Sequence, residues 1–171
     1  MKKSMLIITL FCSVVCFAQQ NAETVKQDIQ KVLATYMNCL INKDSTTFCN
    51  LFALDSASFY GVNATDTYQE LIKQYPRAPL IQKDNYKNFI RFVVSSKKKA
   101  EEKYKNINIW NDNAIATLSF NYSFWIDDKE TNWGIETWQL IYKGTEWKIM
   151  RALFSINDPR VTPDTGQKTG S

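Results

Sequence analysis

Histidine is absent from the 171 residues. Its absence excludes Ser-His-Asp triads, Cys-His nucleophile pairs, HExxH zinc sites and any imidazole pH switch. Glycine and proline are scarce, at 5 and 4 residues. The chain has no GxGxxG, P-loop, CxxC or EF-hand loop, so dinucleotide, phosphate and calcium chemistry have no motif to rest on. Excess charge is also small: 21 Lys and Arg against 17 Asp and Glu leave a formal +4. A nucleic-acid binder normally shows a clustered basic face, and none is visible. The apolar run at residues 5–17 is too short to span a membrane, which takes roughly 20 residues. What is present is a hydrophobic share of 44% with 13% aromatics, enough for the core of one domain.

The first eighteen residues read as an export signal: Lys2 and Lys3, the apolar run, then Ala18 before Gln19. The expected organisation is a signal peptide at residues 1–18, one domain at 19–156 and a flexible polar tail at 157–171. The product is expected in the periplasm or secreted. A lipid-anchored form through Cys16 is the less favoured reading, because Val15 is not small. Cys12 and Cys16 leave with the signal, so Cys39 and Cys49 remain. They flank a helix–helix turn at residues 42–45, and in an oxidising compartment they either pair or pack as separate small core residues.

Apolar residues Val25, Ile29, Val32, Leu33, Tyr36, Leu40 and Ile41 fall on one helical face, and Thr24 with Gln27 resembles a capping box. Asp44 caps a second, short helix carrying Phe48, Leu51 and Phe52. Residues 58–62 form a brief strand. Asp66 is the expected cap of a helix ending near Tyr75, before Pro76 and Pro79, and another helix covers residues 84–97. After Lys99 the period becomes two. Ala116, Leu118, Phe120, Tyr122, Phe124 and Ile126 alternate with polar neighbours along a long strand, with partners at residues 104–110, 132–142 and 146–156. Helices first and antiparallel strands afterwards indicate an α+β domain, a curved antiparallel sheet wrapped around N-terminal helices.

The stretch with Tyr36, Leu40, Asp44, Leu51, Phe52 and Ala53 resembles the opening helices of the NTF2-like superfamily, whose members include SnoaL-like and ketosteroid-isomerase-like proteins. The ending Gly144-Thr145-Glu146-Trp147-Lys148-Ile149 is similar to that superfamily's final hairpin. The resemblance covers about residues 24–156. It implies a cone-shaped α+β barrel, often dimeric through its sheet, and it does not fix a function. Against the ketosteroid isomerases, Tyr36 matches the oxyanion-binding tyrosine and Glu136 the protonated acid. Tyr60 stands where their carboxylate base belongs, and a phenol with a reference pKa near 10 is a poor base. Epoxide-hydrolase and dehydratase patterns have no counterpart.

Tyr36 and Glu136 are therefore the weak catalytic candidates. Tyr36, Tyr60, Tyr122, Glu136 and Trp138 are the candidate ligand contacts, each weighed against plain core filling. Glu136 could equally face solvent or pair with Arg151, and Arg77 could guard a pocket mouth or simply be solvated. Lys97-Lys98-Lys99 with Glu101-Glu102-Lys103 reads as a solvated surface. Asp127, Asp128 and Glu130 read as a polar turn rather than a calcium site. Ser95 with Lys98, and the KTG at residues 168–170, match serine-enzyme motifs in a chain too short for that fold. No cofactor and no metal is expected. Three functions stay open: an exported domain binding a small hydrophobic or aromatic ligand, an isomerase- or lyase-type enzyme, and a protein-interaction module with a filled cone. A homodimer through the sheet stays open, since its exposed face can be an interface or simply wet; no nucleic-acid partner and no transmembrane segment are expected.

Overall fold

A computed structural model describes the backbone of residues 4–165 and the side chains of residues 23–165. The side chains of the expected leader, Cys16 among them, and the end of the expected tail at residues 166–171 lie outside the described residues. Helix α1 runs Ser4–Asn42 and α2 Ser45–Asn50. Strand β1 (Ser58–Asn63), α3 (Thr65–Gln74), β2 (Ile81–Asp84) and α4 (Tyr86–Ser95) follow. Four long strands complete the domain: β3 (Ala100–Asn111), β4 (Ile115–Ile126), β5 (Lys129–Tyr142) and β6 (Trp147–Ile156). Among the described residues no helix is long and apolar enough to cross a membrane.

The strands form one open, curved sheet in the order β2-β1-β6-β5-β4-β3. All neighbours are antiparallel except β1 and β6, which run parallel with Phe59 opposite Ala152. That one parallel pair follows from connectivity, because the whole α3–β5 segment separates the two strands and serves as a crossover. Register shifts at Lys105/Asn108, Phe124/Trp125 and Gln139/Leu140 interrupt the three long hairpin ladders. Bulges of this kind bend strands and raise their twist, which curls the sheet around the helices. The β4–β5 connection is a two-residue turn with Asp127 and Asp128 at φ 50° and 62°, the left-handed pair whose twist suits a tight hairpin.

Every third or fourth residue of α1 enters the core: Ile29, Leu33, Tyr36, Met37 and Leu40 are buried. They share one core with the inward residues of β4, Ala116, Leu118, Phe120, Tyr122 and Phe124, which alternate as the sequence implies. Ring contacts tie the layers together. Tyr36 lies 4.8 Å from Phe48 and 4.9 Å from Trp138, and Phe120 meets Trp138 edge-on at 5.4 Å. The large area these rings bury supplies much of the packing between helices and sheet.

Several boundaries differ from the sequence reading, each for a local reason. Helix α1 continues through Thr24, so Thr24 starts no helix. Asp44 does cap α2, accepting from the Thr47 amide at 3.0 Å. Asp66 lies inside the first turn of α3, where Ala64 is the cap residue; there its charge faces the positive end of the helix dipole. Asn85 caps α4, accepting from the Lys87 amide at 2.8 Å. Strand β2 was not anticipated: its four residues are all exposed, and only pairing with β1 makes them a strand. Beyond β6 the chain keeps contact with the sheet. Asn157 bridges to Trp133, the Trp133 indole donates to the Thr162 carbonyl at 2.8 Å, and Lys105 meets Asp164 at 3.3 Å.

Candidate functional site

The concave face of the sheet and helices α1 and α4 enclose a cavity of about 190 Å³. Seven aromatic side chains line it, among them Tyr36 from α1, Phe59 from β1, Phe89 from α4 and Tyr122 from β4. Gln82, Asp84 and Phe92 stand at its exposed mouth. Glu102 from β3 and Glu136 from β5 supply carboxyls on the inner side, 6% and 2% exposed. The volume is below the ~300 Å³ of an ordinary small-molecule pocket. Aromatic rings thus fill much of the cone and leave room for an occupant of a few heavy atoms.

Strand alternation explains who faces inward. On β5, Gly134, Glu136, Trp138 and Leu140 are buried while Ile135 and Gln139 are exposed. The Trp138 indole donates to Glu136 Oε1 at 2.5 Å, with Trp138 fully buried. Trp138 therefore stands behind the cavity and orients Glu136 instead of lining the space. Glu136 is opposite Phe154, while Arg151 is exposed opposite Gln139, so the pairing of Glu136 with Arg151 does not form. On β1 the inward residues are Phe59, Gly61 and Asn63. Tyr60 alternates to the other face of that strand and is not among the residues that line this cavity. A Cβ on Gly61 would come within 2.8 Å of the Phe154 ring, so glycine is what lets β1 approach that wall.

The sequence reading missed Glu102. Its place beside a lysine run made it look solvated, yet pairing with Phe124 across the β3–β4 ladder sets it on the concave face. Glu102 Oε1 is buried and has no hydrogen-bond partner. Burial holds the Glu102 carboxyl well above the usual carboxylate range, and the charge of Glu136 raises it further. Glu136 is pushed up to about 7 by burial, against the lowering hydrogen bond from Trp138. The phenols of Tyr36 and Tyr122 are raised by burial and then by both carboxyls. Tyr122 donates to the Ser155 carbonyl at 2.8 Å. The result is a pair of interacting carboxyls in a ring-lined hollow, able to accept from a donor, meet a cation or exchange a proton.

The remaining candidates lie elsewhere. Arg77 is exposed and is not part of the cavity mouth. Cys39 and Cys49 are free thiols, one buried and one half-buried. Their surroundings differ: burial and Asp44 push the Cys39 thiol up to about 11, while Cys49 senses Lys87 and Asp55. The proposed disulfide is therefore not formed in this structure. Asp127 accepts from the Lys99 amide at 3.0 Å and Asp128 meets the Lys99 ammonium at 3.0 Å, which occupies the turn carboxylates. Among the described residues no cluster of three metal-ligating side chains occurs. A larger, open groove of about 350 Å³ lies between α1, α2 and the β5–β6 turn. Its Lys148 is paired with Glu146 at 2.8 Å and donates to the Asn50 carbonyl.

A mixed six-stranded sheet curled over N-terminal helices, with a small hollow between them, can be compared with solved structures. An NTF2-like protein with a cystatin-like fold from Novosphingobium aromaticivorans superposes with a TM-score of 0.60 at 8% identity, covering 84% of this chain and 88% of that one. The fold is NTF2-like. A protein from the same organism, provisionally assigned as a scytalone dehydratase, gives a TM-score of 0.61 at 12% identity over 81% of this chain and 88% of its own. An NTF2-like protein from Cytophaga hutchinsonii gives 0.56 at 10% identity over 77% and 98%. No family model matches the sequence, and no curated protein does. Identities this low establish the NTF2-like architecture and leave the chemistry to the residues of this chain.

Proposed function

We propose that the protein is exported by its N-terminal leader and that its cavity binds a small, largely apolar molecule bearing one polar group, without turnover. The observation that carries this reading is the buried, unpartnered carboxyl of Glu102 inside a ring-lined hollow. An unsatisfied buried polar group destabilises the apo protein, and a ligand that meets it recovers that loss. Export rests on the Lys2-Lys3 start, the apolar run and Ala18. N-terminal sequencing of protein recovered outside the cytoplasm should begin at Gln19.

Binding is tested by thermal-shift titration of the purified chain against small aromatic, aliphatic and amine compounds. A hit should disappear in Asn132→Phe, which fills the hollow from its wall. An absence of hits across the panel, or hits unaffected by that substitution, would sink the binding reading. Homodimerisation is part of the same reading. Ile135 and Leu153 are exposed on the sheet face opposite Glu136, and Leu153→Asp should lower the sedimenting mass if that face joins two copies.

A second reading, an isomerase- or lyase-type enzyme, is favoured by one feature. Glu136, with a pKa of about 7 beside a second carboxyl, is suited to general acid–base work at neutral pH. In that case Glu136→Gln abolishes turnover of a substrate once one is found, while Tyr36→Phe reduces it.

A further inference from the structure

The cavity has negative groups and no positive ones. Asp84 stands at the mouth and Glu102 and Glu136 line the interior, and no lysine or arginine is among the lining residues. Other carboxylates of the chain meet cations: Asp55 has Lys87 at 2.8 Å and Asp128 has Lys99 at 3.0 Å. Glu102, by contrast, is 94% buried with Oε1 facing neither donor nor cation. Around the two carboxyls the walls are aromatic, and the faces of such rings are negative by their quadrupole.

Each ligand class can be judged against that lining. An anion finds no cationic partner in the lining and keeps both carboxyls from ionising. A neutral apolar molecule suits the rings but leaves Glu102 unsatisfied. A primary ammonium is strongly hydrated and brings three N–H donors into a space whose walls are mostly rings. An alkylated ammonium answers both features, since its methyl groups pack on ring faces and its charge is attracted by rings and carboxyls alike.

We infer that the cavity binds a small alkylated ammonium cation, held between its aromatic walls and the carboxyls of Glu102 and Glu136. The inference rests on the binding reading above and adds the charge of the ligand. The titratable groups facing the cation are Tyr36 of α1, Asp84 of β2, Glu102 of β3, Tyr122 of β4 and Glu136 of β5; none carries positive charge. A bound cation favours ionisation of both buried glutamates. Binding therefore releases protons, and affinity climbs as pH rises through neutrality.

Choline and its neutral carbon isostere, dimethylbutanol, differ in charge at nearly constant shape and separate these cases. Calorimetric titration of the full chain should show choline binding at least about tenfold tighter than dimethylbutanol near pH 8, the scale of a desolvated cation–π contact. The advantage should shrink near pH 6. Titrations in buffers of different ionisation enthalpy should report proton release with choline and none with dimethylbutanol. Glu102→Gln should weaken choline by about tenfold and change dimethylbutanol by much less; if that variant does not fold, the proton release of the unaltered chain decides. Dimethylbutanol binding as tightly as choline, or choline binding without proton release, overturns the ammonium assignment while the broader binding reading stands. Failure of both compounds also overturns the ammonium assignment, and the binding reading then depends on the neutral compounds of the thermal-shift panel.

Discussion

A carboxyl removed from water without a donor or a cation costs more than almost any other single group in a folded chain. Glu102 is such a group, and Glu136 beside it has only the Trp138 indole for support. Replacing Glu102 with methionine keeps the volume and removes the buried carboxyl. We expect Glu102→Met to stabilise the apo protein by about 1–3 kcal/mol in urea unfolding, and to weaken choline binding in the same preparation. The pH dependence has a definite sign. Glu136 has a folded pKa of about 7 against 4.5 when unperturbed, so the folded state holds the extra proton between those values. Its contribution to stability is complete below about pH 4.5 and is lost as pH rises towards 7. Glu102, raised well above its ordinary range as well, extends the decline. Thermal midpoints should therefore fall over that window, and Glu136→Gln should flatten the fall. A midpoint that rises with pH there would contradict the buried pair.

Helix α2, whose Phe48 packs on Tyr36 of the cavity wall, is short enough to depend on its ends. Helix α2 has six residues, too few to persist alone, since isolated helices below about 12–15 residues are marginal in water. Asp44 holds its first turn, and the bonds from Thr47 keep that carboxyl below its ordinary range. Phe48 then reaches Tyr36 and Phe52 in the ring web. Asp44→Ala should lower the urea midpoint with an unchanged slope, as loss of an N-cap does. Among the strands, β5 depends on Gly134. A Cβ there would lie 2.2 Å from the Ser155 carbonyl oxygen, so any side chain pushes β5 from β6 just beside Glu136. Strand β2 adds little of its own; its four exposed residues are ordered by β1, and they place Gln82 and Asp84 at the cavity mouth.

For the molecule as a whole, stability resides in the helix–sheet interface. The described buried residues of α1 begin at Ile29. A chain starting at Gln19 should keep the same circular-dichroism spectrum and a thermal midpoint within a few degrees of the full chain; loss of folding would show that the leader is part of the domain. Helix faces and strand alternation made the layers legible in advance. The spacing of Ile29, Leu33, Tyr36 and Leu40 allows one buried stripe, and the period of two from Ala116 to Phe124 allows one inward face. Those patterns also set Tyr36 and Tyr122 on the concave side, because a helix stripe and a strand face follow from local geometry; they leave the face of Glu136 open between cavity and solvent. Sequence by itself could not settle Tyr60 or Glu102. A shift of one residue reverses every side chain of a strand, and neither short β1 nor charged β3 has an apolar alternation strong enough to specify it. Their faces were decided by partners distant in the chain, Ala152 and Leu153 of β6 for β1 and Phe124 of β4 for β3. Tertiary structure also decided the size of the hollow, since the volume left between rings depends on how far the sheet curls. Local periodicity determines which residues can face inward; only the closed arrangement of strands determines which of them meet.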